Sequence, residues 1–153
     1  MSALTTERLT DFAGTAPARG TYPIAANTRI FKGALVAVDS SGRAIPATTA
    51  AGGAVKIVGV SGATYDNRTG SALGGAAAAC DVEVQFGVFS FATSTIAADD
   101  VNTIAYALDD QTVELTDGGG AARRPAGIIT EVRDGLAYVW VGPIVAALSG
   151  AAL

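Results

Sequence analysis

Two adjacent carboxylate pairs, Asp99-Asp100 and Asp109-Asp110, are the densest groups able to move a proton. General acid/base work needs two carboxyls that converge on one point. Neighbours in sequence point to opposite sides of a strand, so neither pair is such a device by itself. Asp99, Asp100 and Asn102 would offer oxygen ligands to calcium, but their spacing is not that of an EF-hand loop, and turn chemistry accounts for them. The chain has no His and one Cys, Cys80. This excludes a Ser/His/Asp or Cys/His device and an internal disulfide, and it argues against a Cys-based zinc site. Cys80 lacks a basic neighbour that would activate a thiolate, and it reads as a small buried residue. Lys32 or Lys56 would have to partner a Ser outside any recognisable motif, and both read as solvated edge charges. Gly74-Gly75 and Gly118 to Gly120 lack the Lys-Ser/Thr or GxGxxG context of a phosphate-cradling loop. Tyr138 and Trp140 are left. Their rings suit stacking on a sugar, or a place in a core or an interface. No cofactor and no metal are expected, and the chain reads as one shaped for contact and not for catalysis.

Composition sets the frame for those residues. The chain of 153 residues suggests one domain with a real core. Half the residues are hydrophobic, yet only 7% are aromatic and 19 are Gly. Much of the apolar content is Ala, so thin layers and close backbone contacts are expected, with extra stability from association. Charged residues make up 16%, below the roughly 25% of typical soluble chains. Such a surface is poorly defended against association. The formal net charge is -4. The basic pair Arg123-Arg124 reads as a solvated turn edge, and direct nucleic-acid binding, which needs a basic stripe, is not expected. The start of the chain, MSALTTERLTDF, lacks the pattern of a secretory signal, so the glycosylation match Asn67-Arg68-Thr69 reads as chance. The apolar end, VWVGPIVAALSGAAL, is short for a membrane span and is interrupted by Gly142-Pro143, so no membrane partner is expected.

Short apolar runs separated by Gly, Asp, Ser, Asn or Pro place these residues on strands. The runs are Tyr22 to Ala26, Ala34 to Val38, Val55 to Ser61, Asp81 to Ala92, Thr103 to Leu108, Thr112 to Leu115, Gly127 to Arg133 and Leu136 to Val141. FKGALVAVDSSGRAIPA, from Phe31 to Ala47, reads as a strand, a turn and the start of a further strand. The spacing predicts an all-β fold, a small antiparallel β-barrel or sandwich. SGATYDNRTGSALGGAAAA, from Ser61 to Ala79, reads as a long small-residue loop in which Gly70, Gly74 and Gly75 oppose a helix. Three parts are expected: an N-terminal arm over 1–20, a β domain over 21–142 and an apolar C-terminal tail over 143–153.

The clearest hairpin is IITEVRDGLAYVWV, with Asp134-Gly135 in a two-residue type I′ turn. Unbroken pairing from that turn puts Val132/Ala137, Thr130/Val139 and Ile128/Val141 on a core-like face. The other face then carries Arg133/Leu136, Glu131/Tyr138 and Ile129/Trp140, a mixed surface suited to contact. In DVEVQFGVFSFA the alternation of Val82, Val84 and Phe86 changes phase after Gly87. A bulge or sharp bend there would return Phe89 and Phe91 to the same side; burial on both faces is the competing explanation.

KGALVAVDSSGRAIPA, VKIVGVSGATYDN, VEVQFGVFSFA, IAYALDDQTVELT and AGIITEVRDGLAYVWV, taken in order, resemble the decoration (cement) and related minor capsid proteins of tailed bacteriophages. The resemblance runs from about Phe31 to Val141 and rests on strand-and-turn phrases. It implies a β-rich structural virion protein, made in the host cytoplasm and placed on the outer surface of the head. There it would clamp adjacent major capsid subunits, often as a homotrimer. The family offers no catalytic motif, so no functional residue is carried over. The residues themselves suggest that the polar arm reaches a neighbour on the shell. Arg8 and Arg19 would pair with shell carboxylates and Phe12 would anchor in an apolar site. The alternatives are a head fibre or adhesin touching host glycans through Tyr138, Trp140 or loop tips, and a tail or baseplate protein with a similar β domain.

Overall fold

The computed structural model describes residues 19–48 and 55–143. Two five-stranded antiparallel sheets carry the fold. The first has the order β1 (Arg19–Pro23), β7 (Asp81–Gln85), β5 (Lys56–Ser61), β3 (Leu35–Val38), β4 (Ala44–Pro46). The second has the order β10 (Val113–Glu114), β9 (Ile104–Ala107), β11 (Arg124–Arg133), β12 (Leu136–Val141), β8 (Gly87–Ala92). A two-stranded ribbon pairs β2 (Thr28–Ile30) with β6 (Tyr65–Asn67). Neither large sheet closes through its paired strands, although isolated bridges join Ile24 to Ala44 and Ala92 to Thr112 at their outer strands, and the architecture is the expected small antiparallel β-barrel or sandwich. One 3₁₀ turn, Ala98–Asp100, precedes β9, and Pro143, the last described residue, is helical.

Every strand expected from the sequence is present; β1 and β11 start three residues earlier than expected, at Arg19 and Arg124, and most of the others are a residue or so shorter. Three strands of three residues each were not expected: β2, β6 inside the long loop, and the full β4. Three residues carry no readable period. The β domain also begins earlier than expected, because Arg19 and Gly20 pair with Gln85 and Val84 in β1. The rest of the arm, 1–18, lies outside the described residues, as do 144–153 of the tail.

The small-residue composition is spent on two cores. Leu35, Ala37, Ile57 and Val60 of the first sheet face Phe91, Ala105, Ile129, Ala137, Val139 and Val141 of the second. On the other side of the first sheet, Val36, Val58, Val82 and Val84 pack with Ile24 and Ile30 under the ribbon. The first sheet is therefore buried on both faces. A bulge makes this consistent along β5: Gly59 opposes Val36 and Ile57 opposes Ala37, so Val58 is the extra residue. Ile57 and Val60 then share one face although three positions apart.

Gly87, at φ 151°, is the bend foreseen in the sequence, but its effect differs. It passes the chain from the first sheet to the second. Val82, Val84 and Phe86 thus join the core under the ribbon, while Phe89 and Phe91 join the core between the sheets. A sheet switch, and not a return to one side, explains the phase change.

Buried polar groups tie the loops down. Asn67 is fully buried, and its Nδ2 donates to the carbonyls of Ala25 (3.0 Å) and Ala76 (2.7 Å). Its Oδ1 accepts from the Gly75 amide at 3.1 Å. The glycosylation match thus falls on a nitrogen already engaged inside the protein. The buried Glu114 carboxylate accepts from the Ser94 hydroxyl (3.0 Å) and from the Thr95 hydroxyl, which holds the segment after β8 against β10.

β11 carries two bulges, and Gly127 sits beside the first, between Pro125 and Gly127. A Cβ on Gly127 would lie 2.2 Å from the Trp140 carbonyl oxygen and 2.5 Å from Val139 Cγ1. The first obstacle is backbone and cannot rotate away. Gly127→Ala is expected to destabilise the fold by about 2 to 3 kcal/mol, the upper part of the overpacking range. Urea unfolding midpoints of the two proteins check this; an unchanged midpoint would refute the close approach.

Candidate contact surface

The candidate site is the outward face of the second sheet. The β11–β12 hairpin turns at Asp134 (φ 53°) and Gly135 (φ 75°), as the type I′ expectation required. Arg133/Leu136, Val132/Ala137 and Glu131/Tyr138 pair as expected. The register then shifts between Ile129 and Glu131. Thr130 is the extra residue, and its hydroxyl donates to the Tyr138 carbonyl at 3.1 Å. Beyond the bulge Ile129 pairs with Val139 and Ile128 with Trp140. This corrects the unbroken register: Ile129 is fully buried in the core, and the half-buried Ile128 pairs with Trp140 on the other face. The physical reason is burial. The bulge turns an apolar β-branched side chain inward and leaves a Thr exposed.

The outward residues line up across four strands. Ile104 of β9 opposes Ile128 of β11, Ile128 opposes Trp140 of β12, and Trp140 opposes Val88 of β8. Val88 is 52% exposed and Trp140 36%. Directly opposed residues sit about 5 Å apart at Cβ, so the four side chains form one continuous apolar row. Towards the hairpin the face becomes polar. The Arg133 guanidinium lies 4.8 Å from the centre of the Tyr138 ring and 3.4 Å from Glu131. The Tyr138 hydroxyl and the Glu131 charge raise Arg133 above its ordinary pKa. Tyr138 thus has its ring engaged, whereas Trp140 presents its own ring to solvent.

A charged cluster marks the ribbon. Arg68 grips Asp66 with two bonds, Nε to Oδ1 at 2.8 Å and Nη2 to Oδ2 at 2.6 Å. Arg29 sits 3.9 Å from the same carboxylate and 4.2 Å over the ring of the exposed Phe31. The Arg68 hydrogen bonds pull the Asp66 pKa down to about 2.

The other residues weighed for chemistry serve turns. Asp100 accepts from the Ala97 amide at 2.8 Å, and Asp109 from the Gln111 amide at 2.9 Å. Asp117 accepts from the amides of Gly119 and Ala121, which lowers its pKa and folds the Gly-rich tip around it. Burial and the neighbouring Asp81 push the Cys80 thiol up, away from a reactive thiolate. Among the described residues no cluster of His, Cys, Asp and Glu suits a metal ion, and no helix is long and apolar enough to cross a membrane. Of the residues expected to reach a shell, Arg8 and Phe12 lie outside the described residues. Arg19 is exposed in β1 and pairs within its own domain, with Glu83 at 3.1 Å. No protein family, curated protein or solved structure matches this chain.

The ribbon cluster sets a pH dependence. The folded-state pKa of Asp66 lies below its ordinary value of 3.8. Its contribution to stability is therefore full above that value and is lost as pH falls towards 2. Acid unfolding of the protein and of Asp66→Asn should differ by a constant amount above about pH 5, and the gap should close towards pH 2. A gap that widens on acidification would contradict the assignment.

Proposed function

We propose that this protein is a structural component of a tailed-phage head that binds the outer surface of the shell and holds adjacent capsid subunits together. The observation that carries the reading is the row Ile104–Ile128–Trp140–Val88, an apolar line on the open face of a sheet. Exposed apolar rows rimmed by polar groups mark interaction surfaces. A Trp flanked by β-branched neighbours has the make-up of an interface anchor. The row lies within the stretch that resembles phage decoration proteins, and the low charge of the chain suits close packing on a shell. In this reading the copies act as a homotrimer, so that weak contacts repeat around one axis and add. The N-terminal segment with Arg8 and Phe12 supplies a further contact to the major capsid protein.

Loss of an anchoring Trp at an interface costs about 2 kcal/mol or more, roughly thirtyfold in affinity. Trp140→Ala should therefore lower occupancy on undecorated heads by that order, while the melt of the free protein moves by only a few degrees. Decoration at wild-type affinity would overturn the role of this face. Quenching of Trp140 by a glycan, with decoration intact, would favour the adhesin reading instead.

Deleting residues 1–18 isolates the arm, because Arg19 and Gly20 belong to β1. The truncated protein should melt as the full chain does and should occupy heads less. Equal occupancy would place all shell contacts on the β domain.

A further inference from the structure

Asp109-Asp110, one of the two carboxylate pairs of the sequence, sits where two turns meet. The first turn, Phe31 to Ala34, joins β2 to β3. Its Ala34 amide donates to the Phe31 carbonyl at 3.1 Å and its Gly33 amide to the Ser61 carbonyl at 2.9 Å. Its Lys32 amide donates to the Thr64 hydroxyl at 3.0 Å. The second turn, Asp109 to Gln111, joins β9 to β10 and is closed by the Leu108 amide on the Thr112 carbonyl at 2.9 Å. The Leu35 amide donates to the Asp110 carbonyl at 2.7 Å and ties the two turns together. Between them lies an open groove of about 430 Å³, lined by Phe31, Lys32, Gly33, Ala34, Asp110 and Gln111. Backbone hydrogen bonds fix both turns, so the groove is formed before anything binds in it.

The two carboxylates differ. Asp109 engages its own turn, accepting from the Gln111 amide at 2.9 Å. The Asp110 carboxylate meets no side-chain donor among the described residues, and burial and the neighbouring Asp109 push its pKa up. A cation brought close would stabilise its charged form. Phe31 shares the groove and is 50% exposed. Elsewhere the chain shows what completes such a set. Arg29 lies 4.2 Å from the centre of the Phe31 ring and 3.9 Å from Asp66, and Arg133 lies 4.8 Å from the Tyr138 ring and 3.4 Å from Glu131. In both, a guanidinium sits between a ring and a carboxylate. The groove has a ring and a carboxylate and lacks the guanidinium. We infer that it takes an arginine side chain from a partner protein, stacked on Phe31 and paired with Asp110. Arginine suits it better than lysine, because a planar, weakly hydrated guanidinium stacks on a ring while its N–H fork meets a carboxylate. The exposed Lys32 ammonium opposes a second cation, so the fit depends on Phe31 and Asp110 together. The groove shares no residue with the Ile104–Ile128–Trp140–Val88 row, and the inference does not rest on the role proposed for that row.

The test uses the full chain without shells, so its failure leaves the reading of the Trp140 face untouched. The probe is acetyl-Gly-Arg-Gly-amide, titrated to millimolar concentration into ¹⁵N-labelled protein. The amide signals of Lys32, Gly33, Asp110 and Gln111 should move together and saturate. The same peptide with citrulline, which keeps the shape and loses the charge, should leave them in place, and the lysine peptide should bind more weakly. Phe31→Ala should weaken binding by about two- to fivefold, the worth of an exposed cation–π contact. Asp110→Asn should weaken it by about tenfold, as loss of a charged hydrogen bond does. Lys32→Gln should bind at least as tightly as the wild type. Signals that stay in place with the arginine peptide overturn the inference, and so do equal shifts with citrulline, which needs no variant to fold. Loss of binding in Lys32→Gln with none in Asp110→Asn would show that the groove reads an anion, and would overturn it as well.

Discussion

β11 has to satisfy two neighbours, β9 and β12, while each of its apolar residues finds the correct side of the sheet. Ten residues without interruption would not allow this. The bulge after Pro125 and the bulge at Thr130 divide the strand into pieces that can each keep their own register. Gly127 lets the backbone of β12 come close where the first piece ends. The second bulge sends Ile129 into the core and Ile128 to the opposite face. The core between the sheets and the apolar row outside it both follow from that arrangement. A one-residue slip here would exchange them.

The first sheet meets a different demand. It is covered on both faces, so nearly every residue of β3 and β5 is buried. Large side chains on both faces would force the layers apart. Small and β-branched residues keep them near the usual sheet spacing of about 10 Å. This is the physical sense of a chain rich in Ala, Val and Gly and poor in aromatics. The cost falls on the loops, which must cover the second core without bulky groups. Asn67 answers it by joining three backbone positions from one buried side chain.

Much of this fold is legible in the sequence. Turn chemistry at Asp134-Gly135 and the phase break at Gly87 both marked real events. The outward position of Trp140 was also legible, because the hairpin turn fixes it by counting. Its partner was not. The clue to the bulge was the adjacent pair Ile128-Ile129 followed by Thr130, two apolar residues in a row and then a hydroxyl that can bond to backbone. Periodicity alone reads such a pair as noise. The apolar row also needs Ile104 and Val88, which lie 24 residues before Ile128 and 52 before Trp140; no local pattern states which strands will be neighbours. The ribbon was hidden for a simpler reason, since Thr28–Ile30 and Tyr65–Asn67 are too short to alternate.

The sheet switch at Gly87 has a mechanical consequence. β7 and β8 are consecutive along the chain, with only Phe86 between them and Gly87 opening β8. A tension applied along β8 would act parallel to its ladder with β12 and load those hydrogen bonds together, in shear. Through Gly87 the same tension reaches β7, where the ladders to β1 and β5 resist in the same mode. A force applied across the sheet would instead open the β8–β12 ladder one pair at a time, like a zip. The domain is therefore anisotropic: stiff along the line that joins its two sheets, and weak to peeling at the β8 edge.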